Sequence, residues 1–351
     1  LVGSEMCIRD SREHRPEDFL TKVSPVIYAP DADCPRWRTF ITEIMQGDKA
    51  RADYLQKAIG YSLTGDTRME CLFILYGPTS RNGKGTTMES ILRIMGEYGK
   101  NADPTMLQAK FNSQSGGPSE EIARLAGSRF VNISEPEKKI TLDAALTKRL
   151  TGNDTITARY LHENSFEFRP NFKIFINTNH RPNITDLTLF ESGRIKIIPF
   201  DRHFEENEQD KDLKSTFAKP ENMSGILNWM LEGYKLFRSQ GLAMPDSVVQ
   251  ATTDYQIFSD KMGQFFDECI EEKEGCELRR GAVYTRYKEW CGENGYRAEA
   301  AKNLNQEIEK RYKTARKRPN DGASSSTTPM VLDVAFTASE ESKEDFAPLT
   351  S

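Results

Sequence analysis

The stretch FILYGPTSRNGKGTTM, residues 73–88, joins a short apolar run to a loop of Gly, Pro, Thr, Ser and Asn that closes on Gly83-Lys84-Gly85-Thr86. Phe73 to Tyr76 has the composition of a buried strand, and TTMESILRIMGEYG behind the loop carries helical periodicity. A strand that ends in a glycine-bearing loop and then enters a helix offers free backbone N–H groups, and the positive end of the helix dipole, to phosphate oxygens. Gly77, Asn82, Gly83, Lys84, Gly85, Thr86 and Thr87 therefore read as a nucleotide cradle, with Lys84 reaching the β- and γ-phosphates. The loop departs from G-x-x-x-x-G-K-[ST] in two places. Five residues instead of four separate Gly77 from Gly83, and Gly85 stands where the magnesium-holding hydroxyl usually sits. Thr86, with Thr87 as second choice, is expected to supply that hydroxyl, and ATP with Mg²⁺ are the expected ligands.

Working outward, CLFILY (71–76), RFVNIS (129–134), KIFINT (173–178) and RIKIIPF (194–200) are four runs of strand length, rich in Ile, Val and Phe. Helical patterns such as TTMESILRIMGEYG and TLDAALTKRLTG lie between them, and alternation of this kind predicts an α/β fold with buried parallel strands. Upstream, residues 34–64 place Trp37, Phe40, Ile41, Ile44, Met45, Tyr54, Leu55 and Ile59 at helical intervals, broken at Gly47-Asp48. This predicts a small helical collar over residues 12–66, ahead of an ATPase core over 67–245. TITARYL and FEF, within 155–168, read as a β-hairpin with His162, Glu163 and Asn164 at its tip. From about residue 255 to 336, three helix candidates followed by the β-prone PMVLDVAF have the layout of a winged helix. The tail 337–351 is acidic and Ser-rich and reads as disordered. The opening LVGSEMCIRDS resembles a translated adapter, so residues 1–11 are set apart from the fold, and the abrupt start that follows suggests a fragment.

Two side chains add chemistry to the loop. RFVNISEPEKK ends a strand in Glu135, where a carboxylate can orient and deprotonate water attacking the γ-phosphate and assist the metal. The position before it is Ser134, usually acidic in such strands, so the group that assists magnesium is open. KIFINTNHRPNI ends another strand in Asn179, whose amide can donate to the γ-phosphate or position the water.

The 351 residues carry a formal charge of −5, which argues against a protein coated in nucleic acid but permits a local basic groove. The six cysteines form no zinc-like spacing and no C-x-x-C pair, as expected of reduced cytosolic thiols, and no apolar run approaches a membrane span. A soluble, cytoplasmic protein is expected, in the bacterial host if phage-encoded.

GPTSRNGKGT, NISEP, TGNDTITARYL, INTNHRPNI and SGRIKIIPF, in this order, resemble the superfamily 3 helicases, and more narrowly the helicase part of phage, plasmid and poxvirus-type primase-helicases. The likeness runs from about Arg15 to Leu332. It implies an AAA+-like P-loop ATPase core in a homo-hexameric ring, with ATP between subunits, single-stranded or forked DNA in the channel, and a primase domain upstream. It also implies that Arg194 is an arginine finger for the neighbour's ATP, although Ser192 and Gly193 replace the Trp and first Arg of the usual Trp-Arg-Arg segment. The hairpin at 155–168 falls where the family contacts DNA, with His162 at the tip and Lys148 and Arg159 in support. KRYKTARKR contributes Lys310, Arg311, Lys313, Arg316, Lys317 and Arg318 beside a recognition-helix candidate. The expected function is an ATP-dependent DNA helicase of a phage or prophage. A P-loop nucleotide kinase, suggested by the G-K-G-T ending, and a DNA-binding scaffold that does not hydrolyse ATP are the alternatives.

Overall fold

The structure is a computed structural model that describes residue 17 and residues 21–109, 120–134, 140–296, 298–317 and 327–337. Glu135, Arg318, the opening segment 1–11 and the tail beyond Thr337 lie outside the described residues. The chain folds as two units that divide between Ser259 and Asp260.

The first unit contains α1 (Pro35–Ile44), α2 (Lys49–Tyr61), β1 (Leu72–Tyr76), α3 (Lys84–Met95), β2 (Gly99–Ala102), α4 (Glu120–Ala123), β3 (Phe130–Ser134), α5 (Ala144–Thr151), β4 (Ile156–Ala158), β5 (Phe166–Phe168), β6 (Lys173–Thr178), α6 (Thr188–Glu191), β7 (Ile195–Pro199), α7 (Leu213–Phe217), α8 (Pro220–Gln240) and α9 (Asp246–Ser259). Five strands form one parallel sheet in the order β2-β3-β6-β1-β7. Four of them are the apolar runs expected from the sequence. The fifth, GKNA, buries only Ala102 and holds the edge by backbone pairing with β3, so it carries no hydrophobic signal.

Alternate residues of each central strand serve opposite faces. Phe73, Phe175 and Phe130 stack in a row on one face with ring centroids 4.8 Å apart. Leu72, Ile74, Val131, Ile174, Ile176 and Ile197 line the other. The helices expected as a collar share their core with the sheet and with α8. Trp37, Phe40, Ile44, Tyr54 and Ile59 share one core with Phe73, Leu75, Phe175, Phe200, Ile226 and Trp229. Every residue of α2 from Tyr54 to Tyr61 is buried, which marks an enclosed helix instead of a surface one. Beyond its C-terminus, the carbonyl of Leu63 accepts from Arg129 Nη1 at 2.7 Å, and that of Thr64 accepts from the buried Lys173 ammonium. These cations complement the negative end of the helix dipole. α9 packs on β7, with Thr252 Oγ1 accepting the Ile197 N–H at 3.1 Å, so it belongs to the first unit throughout its length.

The second unit is built from α10 (Lys261–Cys269), β8 (Ile270–Arg279), α11 (Arg280–Glu293), α12 (Ala301–Arg311), β9 (Thr314–Lys317) and β10 (Thr328–Phe336). Its antiparallel sheet has the order β8-β10-β9, and Phe265, Phe266, Val283, Tyr287, Trp290, Leu304, Ile308, Val331 and Val334 form its core. β8 is an addition to the expected helix, helix, helix, hairpin order. Its sequence IEEKEGCELR buries only Ile270, so a strand-like alternation is missing. Among the described residues no helix is long and apolar enough to cross a membrane.

α2 and α8 cross through Gly60 and Gly233. A Cβ on Gly60 would collide with the backbone of Gly233 and Tyr234, and one on Gly233 with the backbone of Gln56. Backbone cannot yield as a flexible side chain can. Gly60→Ala or Gly233→Ala is therefore expected to destabilise the unit by about 2–3 kcal/mol. Gly85→Ala meets nothing within 4 Å and should change stability by less than about 1 kcal/mol. Equilibrium urea unfolding of the three variants checks both statements.

Candidate functional site

Because β6 and β7 both run parallel to β1, their carboxyl ends and the loop after β1 gather at one edge of the sheet. The loop runs from Gly77 to Gly83 and enters α3 at Lys84. Gly83 has φ +85°, a left-handed conformation that disfavours a side chain, and a Cβ there would strike Ile44 of α1. Gly77 is equally enclosed, by the Asn82 amide, the Phe200 carbonyl and Lys84.

Three successive carbonyls of this loop are taken up. Thr79 O accepts from Asn82 Nδ2 at 2.7 Å, Ser80 O from His203 Nδ1 at 2.8 Å, and Arg81 O from the Phe204 N–H at 2.9 Å. Among the described residues, no group accepts from the N–H groups of Thr79 to Gly83. With the first amides of α3, these are the donors an anion needs.

Lys84 is buried, and its Nζ donates to Asn179 Oδ1 at 2.7 Å and to Gly77 O at 3.4 Å. The loop lysine and the amide at the end of β6 thus meet. Ser134 ends β3 beside Asn177 of β6, so the chain leaves β3 at the same edge. Thr87 is fully buried and its hydroxyl donates to Gly83 O at 2.9 Å. Thr86, in the first turn of α3, is partly exposed. Asn82 shapes the loop with its side-chain amide. Glu89, one turn further along α3, is held below the usual carboxylate range by Lys214, which donates to it.

Arg194 lies at the amino end of β7, away from the phosphate loop of its own chain. Its Nη2 pairs with Glu70 Oε2 at 2.6 Å and its Nη1 donates to Thr151 Oγ1 at 2.9 Å. Lys148 is bound to Asp186 at 2.9 Å and Thr188 at 2.7 Å, so it braces α5 against the chain leading into α6. Burial works against the Asp186 carboxylate, but hydrogen bonds from Thr188 and Lys148 bring it below the ordinary range. Arg159 follows β4 directly. His162, exposed and at φ +63°, sits between β4 and β5, and the hairpin is anchored by Tyr160, whose hydroxyl donates to Ala123 O at 3.1 Å.

In the second unit the basic run straddles the end of α12 and β9. Lys310 pairs with Glu307, Arg311 with Asp260, Lys313 with Asp333 and Lys317 with Glu277, while Arg316 is exposed. Sequence reading missed Arg51, Asp201 and His203. Arg51 is buried and reaches Asp201 at 2.9 Å and Met45 O at 3.0 Å, tying α1 and α2 to the segment after β7. The available signal was DRHF directly after RIKIIPF, at the end of a strand. Nothing short of the strand order shows that this strand lies beside β1.

Sequence comparison matches residues 258–338 to the family described as Poxvirus D5 protein-like, residues 5–46 to D5 N terminal like, and residues 75–194 to a family of unknown function. The second match begins inside the segment read as adapter-derived. A protein of Acanthamoeba polyphaga mimivirus named "Putative helicase" is 28% identical over 322 residues, covering 84% of this chain and 33% of the relative. One of Frog virus 3 (isolate Goorha) with the same name is 26% identical over 272 residues, covering 73% of this chain and 28% of the relative. The chain therefore spans about a third of the length of these relatives, or less. The apo structure of the NrS-1 C-terminal region shares the fold, with a TM-score of 0.53 at 12% identity, over 89% of this chain and 78% of that one. The D5 matches on either side of the loop and the viral relatives make this chain similar to the helicase portion of D5-type primase-helicases, and its fold is that of the NrS-1 C-terminal region.

Proposed function

We propose that this chain is the motor portion of a viral or phage-type replicative DNA helicase, which couples ATP hydrolysis to movement on single-stranded DNA as an AAA+-like homo-hexameric ring in the host cytoplasm. The observation that carries this reading is the meeting of Lys84 and Asn179 at a loop whose amides are left to donate. The loop amides and Lys84 hold the β- and γ-phosphates. Asn179 releases Lys84 when phosphate takes its place and then orients the terminal phosphate or the attacking water. Thr86 holds Mg²⁺, which when bound neutralises charge on the β- and γ-phosphates. Glu135 takes the proton from that water and assists at the metal. Arg194 leaves Glu70 on assembly and stabilises transition-state charge on the ATP of the neighbouring subunit. The hairpin with His162, with Lys148 and Arg159 as supporting cations, and the basic run of the second unit, read as a winged helix, contact DNA phosphates.

Lys84→Ala is expected to remove ATP binding and to lower hydrolysis at least about a hundredfold. Glu135→Gln should abolish turnover while ATP still binds. ATPase assays with and without single-stranded DNA, beside a nucleoside monophosphate acceptor assay, test this reading. Stimulation by DNA supports it; phosphorylation of the acceptor would establish a nucleotide kinase, and unchanged turnover in Glu135→Gln a scaffold.

Arg194→Ala is expected to keep ATP binding and lose about a thousandfold in turnover, and wild-type turnover per chain should fall on dilution. Native mass measurement with a non-hydrolysable ATP analogue and an oligonucleotide checks that a ring forms. Full activity in dilute monomers would remove the shared-site mechanism.

A further inference from the structure

The phosphate loop holds a conformation that its own residues do not favour. Arg81 is a non-glycine residue at φ +59°, in the left-handed region. The segment after β7 holds it there. Phe200 N–H donates to Tyr76 O at 2.7 Å, just before the loop, and Phe204 N–H to Arg81 O at 2.9 Å. Between them His203 Nδ1 meets Ser80 O at 2.8 Å. A carbonyl accepts only, so Nδ1 carries the proton and donates. Two of the three loop carbonyls are thus fixed from this one segment, and the segment is itself anchored through Asp201 to the buried Arg51.

Turning a peptide's carbonyl one way turns the N–H that follows it the other way. Fixing Ser80 O therefore directs the Arg81 amide, and fixing Arg81 O the Asn82 amide. We propose that His203 is a positioning residue for nucleotide binding, which by donating to Ser80 O turns the Arg81 amide of the phosphate loop toward the β- and γ-phosphates. This rests on the reading of the loop as an ATP site. The Phe204 bond is made by backbone and survives any side-chain change, so His203 is the adjustable part of the clamp. The side chain is partly exposed and belongs to none of the hydrophobic cores, so its loss should not unfold the protein.

The experiment measures binding of a non-hydrolysable ATP analogue to the full chain carrying His203→Ala, His203→Asn, His203→Gln or Lys84→Ala, with thermal unfolding of each nucleotide-free protein. An Asn amide nitrogen occupies nearly the place of Nδ1, whereas that of Gln reaches further, to the place of Nε2. His203→Ala should weaken binding about fivefold to tenfold, the loss of one hydrogen bond, with the nucleotide-free melting temperature unchanged. His203→Asn should restore most of the affinity and His203→Gln should not. Wild-type affinity in His203→Ala, or equal rescue by Asn and Gln, overturns the proposal. If Lys84→Ala binds as well as wild type, the loop is not the nucleotide site and both readings fail; if Lys84→Ala alone loses binding, only the role of His203 fails.

Discussion

A buried ammonium group needs a partner, and the place where Lys84 finds one organises the molecule. Removing such a charge from water costs several kcal/mol unless hydrogen bonds replace the lost solvent. Asn179 supplies such a bond only because β6 lies parallel and next to β1, so that both strands deliver their carboxyl ends to the same edge. β7 on the other side of β1 delivers the His203 segment to that edge by the same rule. An antiparallel arrangement would scatter these groups to opposite ends of the sheet.

β7 also links two sites of different kind. Its amino end follows Arg194, held by Glu70 and Thr151, and its carboxyl end runs into the clamp on the phosphate loop. Glu70 is itself in a left-handed conformation, at φ +42°, and its backbone carbonyl also accepts from Arg194 at 3.4 Å. Although β7 is an edge strand, it is packed on both faces, by Ile198 on one and by Ile195 and Ile197 on the other, so one short rigid element joins the Arg194 end to the loop end.

The basic run of the second unit is already partnered in large part, by Glu307, Asp260, Asp333 and Glu277. Ion pairs on an exposed surface contribute little to stability. In the proposed function, exchanging those carboxylates for backbone phosphates would therefore cost the fold little, with a balance between the two that depends on salt.

The apolar runs at 72–76, 130–134, 173–178 and 195–199 made the buried strands legible, because continuous Ile, Val and Phe have no other use at that length. The glycines and lysine of the loop were legible for a local reason: a strand, a turn and a helix start within some fifteen residues need no distant partner. β2 and β8 were not legible, since one is held by backbone pairing at an edge and the other shows its charged side chains to water. That α2 is enclosed was not legible, since Gln56 and Lys57 are polar, yet both are buried against the rest of the unit. Residue types and local order thus determined a glycine-bearing loop between a buried strand and a helix, and which strands are interior. Strand order, a long-range property settled by packing, decided that Asn179 and His203 meet the loop while Arg194 turns away from it; tertiary packing also turned Thr87 inward and left Thr86 partly exposed.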